Sequence, residues 1–108
     1  MQNTLTDKDL LALAAKAAGI TGTRKGEHGG PFFLDETVML HREWNPLRND
    51  GDALRLAVKL RMDIGFNEVG GCIYCEESME SVFRHHGDFG AATRRAIVRA
   101  AAELGQSR

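Results

Sequence analysis

The sequence is poor in cysteine, in net charge and in long apolar runs, and each scarcity excludes a class of protein. The formal net charge is −1, so no overall field attracts DNA or an anionic membrane, and such a contact would need a local patch. No apolar run approaches the roughly 18 residues that a membrane span requires. The first residues also lack the basic segment and apolar stretch of a signal peptide. We therefore expect a cytoplasmic protein without membrane contact, whose two cysteines are free thiols.

Length and composition indicate one folded unit. The chain has 108 residues, of which 43% are hydrophobic and 27% are charged. These values are ordinary for a globular domain and exclude disorder of the whole chain, which needs low hydrophobicity and high net charge. We expect a single domain over residues 1–108, with one modest core.

Cap residues mark the ends of two helices. Thr6 and Asp9 have the spacing of an acidic capping box, and Gly19 is expected to end the first helix as a left-handed residue. Asp88 is a typical N-cap for the last helix, which Gly105 is expected to close. These signals predict helices near the two ends of the chain.

A third helix is predicted in the middle of the chain, after Pro46. Asn49 or Asp50 is the expected N-cap. Arg55 and Lys59 lie four residues apart on the more solvent-exposed face of this helix. The residues expected to face the core are Leu54, Ala57 and Val58, with Leu56 and Leu60 widening the stripe.

Between the helices, alternating apolar and polar residues predict five short strands. The Gly70-Gly71 pair is a candidate for a two-residue hairpin turn. The expected order is α-β-β-α-β-β-β-α, which favours an α+β fold with a mainly antiparallel sheet and helices on both faces. A two-layer α/β sandwich is the alternative. The predicted strands are Phe32 to Leu34, Thr37 to His41, Met62 to Val69, Cys72 to Glu76 and Ser81 to His85.

The segment Trp44-Asn45-Pro46-Leu47, followed by the run from Asp50 to Leu60, resembles a signature of small phage and prophage proteins. The runs from Asp9 to Ile20 and from Ala91 to Glu103 resemble the start and the ending of the same family. That family is the phage α-β-α sandwich domain. The resemblance implies a phage or prophage gene, a place in the host-cell cytoplasm, and helices on two sides of a sheet. It brings no activity, cofactor or catalytic residue.

A candidate metal site is formed by Cys72, Cys75, His85 and His86, because thiolates and imidazoles suit tetrahedral zinc. In the predicted strands, however, positions three apart point to opposite faces and adjacent histidines also splay. We therefore expect no cofactor, zinc included, and free cysteines in structural positions. A small metal-binding protein or hydrolase is kept as a second alternative function.

A basic stripe on the last helix is the candidate nucleic-acid site. Arg94, Arg95 and Arg99 cluster there, and Arg95 and Arg99 are one helical turn apart. Such a stripe can contact phosphates. The simpler interpretation is a solvated face whose arginines balance acids elsewhere in the fold.

Two features are candidates for binding a protein partner. Trp44 is either a core anchor that fixes the entry to the middle helix or an exposed aromatic hot spot. Arg24, Lys25 and His28 lie in a glycine-rich segment that is a candidate binding edge. We expect a non-enzymatic accessory protein that binds an unknown host or phage protein, with nucleic-acid binding as the alternative. Self-association stays open, because sheet edges of a small domain invite pairing.

Overall fold

The computed structural model describes residues 5–22, 24–66, 70–75, 78–83 and 88–107. Its strands form two antiparallel sheets, one of β1 and β2 and the other in the order β3-β4-β5. The α+β class and the order α-β-β-α-β-β-β-α are confirmed. Within the described ranges, no helix is long and apolar enough to cross a membrane. The elements are α1 (Asp7–Ala18), β1 (Phe32–Asp35), β2 (Leu40–Glu43), α2 (Asp50–Lys59), β3 (Asp63–Phe66), β4 (Gly70–Cys75), β5 (Ser78–Phe83) and α3 (Phe89–Gln106).

Helix α1 begins and ends as its cap residues predict. The Thr6 hydroxyl accepts a hydrogen bond from the Asp9 N–H, and the Asp9 carboxylate accepts one from the Thr6 N–H. Gly19 ends the helix in the left-handed conformation, with φ 72° and ψ 23°. Both caps are local hydrogen-bonded structures, which explains why the sequence alone indicates them.

The buried face of α2 differs from the predicted one. Leu54 is 61% exposed and Val58 is 68% exposed, so the expectation that they face the core is wrong. The buried residues are instead Asp52, Ala53, Leu56 and Ala57. Successive helical residues are about 100° apart, so Leu54 lies roughly opposite Asp52. Because Asp52 is held in the interior by partners outside the helix, Leu54 is turned towards solvent.

Helix α3 is the central element of the fold. It packs against α1, α2, β4 and β5, and its buried alanines Ala96, Ala100 and Ala101 let these neighbours approach closely. The expectation that Gly105 closes this helix is wrong, because the helix continues to Gln106 and is capped by Ser107. Gly105 is buried inside the last turn.

The two-stranded sheet is a hairpin whose turn is longer than predicted. Residues 36–39 form the turn, so a strand starting at Thr37 is wrong. The Asp35 carboxylate accepts hydrogen bonds from the N–H and the hydroxyl of Thr37. This local bond favours a turn over an extended chain.

Gly70 and Gly71 are not a hairpin turn but the first residues of β4. Gly71 pairs with Phe66, and a Cβ at Gly71 would overlap the carbonyl oxygen of Gly65 on β3. The glycine therefore permits a close approach of two strands. Residues 67–69, which connect them, lie outside the described part of the chain.

The two faces of the three-stranded sheet have different environments. Ile73 and Cys75 are buried and belong to the same core as residues of α3. Strand alternation places Cys72 and Tyr74 on the opposite face. Tyr74 and its cross-strand neighbour Met79 are 48% and 52% exposed. Helix α3 therefore packs on the face that carries Ile73 and Cys75, whereas Tyr74 and Met79 on the other face are exposed.

Candidate partner-binding groove

A buried carboxylate joins the hairpin to α2. Asp52 is fully buried, and Arg42 on β2 donates to both of its oxygens at 2.8 and 2.7 Å. Arg55 donates at 2.9 Å, and the Asn45 N–H donates at 2.9 Å. These four hydrogen bonds compensate the burial of the charge. They fix the hairpin, the Trp44 segment and α2 against each other.

The pKa values in this network show that it stays charged. Burial raises the pKa of Asp52, but the hydrogen bonds from Arg42, from the Asn45 N–H and from Arg55 outweigh it, so the pKa lies below its usual value. The Asp52 carboxylate in turn raises the pKa of Arg42. The hydrogen bond from the Thr37 hydroxyl and that from Arg42, whose Nε lies 2.7 Å from the Asp35 carboxylate, lower the pKa of Asp35 to about 2. The network therefore connects the hairpin to α2 through charged hydrogen bonds.

A second carboxylate anchors the glycine-rich loop. Glu43 accepts hydrogen bonds from the N–H groups of His28 at 3.0 Å and of Gly30 at 2.7 Å. The Nδ1 atom of His28 lies 3.1 Å from the other Glu43 oxygen. Lys25 forms an isolated antiparallel bridge with Pro31. The Glu43 side chain thus holds the glycine-rich loop against β2.

Two cavities share Ile20, just after α1, as a lining residue. The first, here called the Trp44 pocket, has a volume of about 230 Å³. The second, here called the loop cleft, has a volume of about 360 Å³. We call the two together the basic groove. The Trp44 pocket is lined by Ala18, Ile20, Phe33, Trp44, Arg55, Leu56 and Lys59. The loop cleft is lined by Ala12, Ala15, Lys16, Ile20, Thr21, Gly22, Arg24, Lys25, Gly29 and Pro31.

The charges in the basic groove are of one sign. None of the described residues that line it is an aspartate or a glutamate, although the chain has 15 acidic and 14 basic residues. The near-neutral chain therefore concentrates positive charge along this surface. The cationic side chains of the lining are Lys16, Arg24, Lys25, Arg55 and Lys59.

Three of the four residues predicted to bind a partner line the groove. Arg24 and Lys25 contribute to the loop cleft and Trp44 to the Trp44 pocket. Trp44 is only 4% exposed, which fits a core anchor and not an exposed hot spot. His28 is turned towards Glu43 instead. Nothing in the sequence indicates a partner site at the other residues of the groove, among them Lys16, Ile20, Phe33, Arg55 and Lys59.

The arginines of the predicted basic stripe are used for contacts between helices. Arg94 donates to the Leu47 carbonyl at 3.0 Å and to the Asp50 carboxylate at 2.7 Å. Arg95 lies 3.0 Å from the carboxylate of Asp7 on α1. Arg99 is exposed. Two of the three guanidinium groups therefore bind acids of this chain, which reduces the charge available to phosphates.

The two cysteines do not converge. Cys75 is buried, with its Sγ atom 4.0 Å from the Leu60 carbonyl oxygen, and Cys72 lies on the other face of β4. This is the separation that their spacing in a strand predicts. His85 and His86, the other members of the candidate metal site, lie outside the described residues. Among the residues that are described, no three His, Cys, Asp or Glu side chains are grouped to hold a metal ion.

A second, apolar groove lies between α2, β3 and the start of α3. Its volume is about 410 Å³, and Leu54, Ile64 and Phe66 line it together with Phe89. The Phe66 and Phe89 rings meet edge to face at 5.7 Å. Asp50 and Arg94, which pair with each other, are its charged lining residues in the described chain. The basic groove differs from this apolar groove because its charged lining residues are all lysines and arginines.

Comparison of the chain with protein-family models, with curated proteins and with solved structures found no match.

Proposed function

We propose that this protein is a non-enzymatic protein-binding domain and that it binds its partner through the basic groove. The observation that supports the proposal is the combination of an apolar pocket with cations of like charge in two cavities that share Ile20. Protein interfaces typically bury an apolar centre and surround it with charged groups that select the partner. The groove presents both parts.

The chemistry of the groove favours binding over catalysis. The described lining residues include no histidine, cysteine, serine or carboxylate, the groups that most often perform acid–base or nucleophilic catalysis. The lysines of the groove are exposed, whereas nucleophilic lysines are usually desolvated. The pocket suits one side chain of a protein.

We also propose that the gene is of phage or prophage origin. The support is the resemblance of the segment from Trp44 to Leu60, and of the two terminal helices, to the phage α-β-α sandwich domain. A phage accessory protein of this kind would meet its partner, a host or phage protein, in the host-cell cytoplasm.

Nucleic-acid binding is the second candidate function. Four cations of the basic groove, Lys16, Arg24, Lys25 and Lys59, favour it, because lysine and arginine neutralise phosphates. Two observations favour a protein partner instead. The apolar Trp44 pocket has no role in phosphate binding, and the Trp44 ring is too buried to serve as a stacking platform for bases.

A pull-down from bacterial lysate tests the proposal. Tagged wild-type protein is compared with a Lys16→Gln/Lys59→Gln variant of the groove and with an Arg48→Gln/Arg61→Gln control. All four residues are exposed, and both variants remove the same charge. We expect one protein to be recovered by the wild type and the control, with or without nuclease, and to be depleted with the groove variant. If nuclease treatment abolishes the recovery, the partner is a nucleic acid. If the groove variant recovers as much of the protein as the wild type does, the proposal is contradicted.

A further inference from the structure

We infer that the partner segment recognised by the basic groove is an acidic peptide with one apolar side chain. The apolar side chain would enter the Trp44 pocket, and the neighbouring carboxylates would lie against the cations of the groove. This inference rests on the proposed function and adds to it the chemistry of the partner.

The Trp44 pocket sets the requirement for an apolar side chain. Ile20, Phe33, Trp44 and Leu56 form most of its wall. Leu56 and Trp44 are almost completely buried, and Phe33 packs against the same core. Such a wall is held rigid by the interior, so it can accept a side chain without first rearranging. A leucine side chain that moves from water into this pocket would strengthen peptide binding about tenfold or more, relative to alanine at the same position.

The rim sets the requirement for acidic neighbours. Arg55 and Lys59 are one turn apart on α2 and stand on the same side of the helix. Arg55 is held in place by its 2.9 Å hydrogen bond to the buried Asp52. On the other side of Ile20, the Arg24 guanidinium is held 3.9 Å above the Phe32 ring. The Arg24 guanidinium is therefore oriented in advance, and its planar donors match a carboxylate. The Arg55 guanidinium already binds the Asp52 carboxylate, so it contributes less to a ligand.

The lysines extend the same preference along the groove. Lys16 and Lys25 are exposed around the loop cleft and attract anions without fixed geometry. None of the described lining residues is acidic, but Arg55 already binds the Asp52 carboxylate that it shares with Arg42. The charge offered to a ligand therefore comes mainly from Lys16, Arg24, Lys25 and Lys59. A basic peptide would meet like charge along the groove, and a neutral peptide would bring no carboxylate to Arg24 and the three lysines. Charge complementarity therefore selects an acidic segment.

The fluorescence of Trp44 tests this inference directly, because it is the only tryptophan of the chain and lines the pocket. The first probe is a short synthetic peptide of glutamates with one central leucine. The second is the same peptide with alanine in place of leucine, and the third is oligothymidylate of the same charge. We expect a saturable change of emission with the leucine peptide, weakened by salt, and at least about tenfold weaker binding of the alanine peptide.

The variants locate the binding. The variant Lys16→Gln/Lys59→Gln should bind the leucine peptide several-fold more weakly than the wild type, whereas Arg48→Gln/Arg61→Gln should bind it with unchanged affinity. Thermal unfolding by circular dichroism verifies that both variants remain folded. The inference is overturned if the leucine peptide does not bind, if both peptides bind equally, or if oligothymidylate binds more tightly. Should groove-dependent capture from lysate persist while the peptide fails, this inference is wrong and the proposed function stands. Loss of that groove dependence would overturn the proposed function itself.

Discussion

The backbone carbonyl of Leu13 in α1 occupies the space in which Gly105 of α3 would place a Cβ atom. Gly105 is therefore a contact position between two helices and not a cap. We expect Gly105→Ala to reduce the free energy of unfolding by about 1–3 kcal/mol, the usual cost of overpacking. Gly65→Ala is the control, because a Cβ there meets no atom within 4 Å. Urea denaturation should show a change of less than about 0.5 kcal/mol for the control.

The two leucines of α2 should differ strongly in their contributions to stability. Leu56 is buried at 2% exposure and Leu54 is 61% exposed. We expect Leu56→Ala to cost about 2–5 kcal/mol, because it removes packed methyl groups and leaves a cavity. Leu54→Ala should cost less than about 0.5 kcal/mol, as is usual at the surface. The same denaturation experiment measures both, and a larger loss for Leu54→Ala would mean that the opposite face is buried.

Removing the charge of Asp52 should weaken the connection between hairpin and helix. The change Asp52→Asn leaves Arg42 and Arg55 without their shared carboxylate. We expect a loss of about 3–5 kcal/mol, the range found when one member of a buried ion pair is removed. Asp50→Asn is the matched control, because Asp50 is 86% exposed in its pair with Arg94 and an exposed pair contributes at most about 1 kcal/mol. Similar losses from both changes would show that burial of Asp52 is unimportant.

The network around Asp52 should also determine how stability falls in acid. The pKa of Asp52 is lower in the folded protein than its ordinary value, so the unfolded chain binds a proton first as the pH falls. The contribution to stability is complete above the unfolded pKa, about 3.9, and is lost as the pH falls towards the folded pKa. We expect the stability of the wild type to fall more steeply below about pH 4 than that of Asp52→Asn. Urea titrations between neutral and acidic pH provide the measurement, and parallel curves would contradict the expectation.

Glu80 on β5 should make stability depend on pH in the opposite direction from Asp52. Burial raises its pKa, and the neighbouring carboxylate of Glu103 on α3 raises it further, while Arg99 opposes the shift. The folded protein therefore holds a proton that the unfolded chain has released, and stability falls as the pH rises from about 4.3, the ordinary value for glutamate, to the raised pKa. A neutral side chain avoids this loss. We expect Glu80→Gln to be more stable than the wild type at neutral pH.

The control for Glu80 is the exposed Glu36. Glu36→Gln should leave the stability at neutral pH within about 0.5 kcal/mol of the wild type. Unfolding by urea at pH values on both sides of the glutamate range measures the two variants. A Glu80→Gln variant that is less stable than the wild type at neutral pH would show that the ionised carboxylate is stabilised by contacts of its own.

The helix starts were predictable from the sequence because a cap is a local structure. Thr6, Asn49 and Asp88 each accept a hydrogen bond from a backbone N–H three residues further on. All participants lie within one turn, so residue type and spacing are sufficient signals. The buried face of α2 was not predictable in this way. Several apolar residues compete for the interior on that helix, and the choice depends on Arg42 from another element.

The candidate site was predictable only in part, for the same reason. Arg24 and Lys25 are conspicuous in their glycine-rich segment, and Trp44 is conspicuous as the only tryptophan. Lys16 and Lys59, by contrast, look like ordinary surface residues near the ends of two helices. Nothing local indicates that they flank the same groove. The arginines of α3 looked like a binding stripe because their acidic partners, Asp7 and Asp50, are far away in the sequence.

The sequence by itself determined the class of the fold, the order of its elements and the positions of its helix starts, because these depend on hydrogen bonds and periodicities between near neighbours. The tertiary structure alone decided which face of α2 is buried, why Gly105 is a glycine, and which cations share a surface. Each of these depends on groups that are distant in the sequence and meet only when the helices and the hairpin pack. The basic groove is such a meeting point, since α1, the glycine-rich loop, the hairpin and α2 each contribute part of its wall.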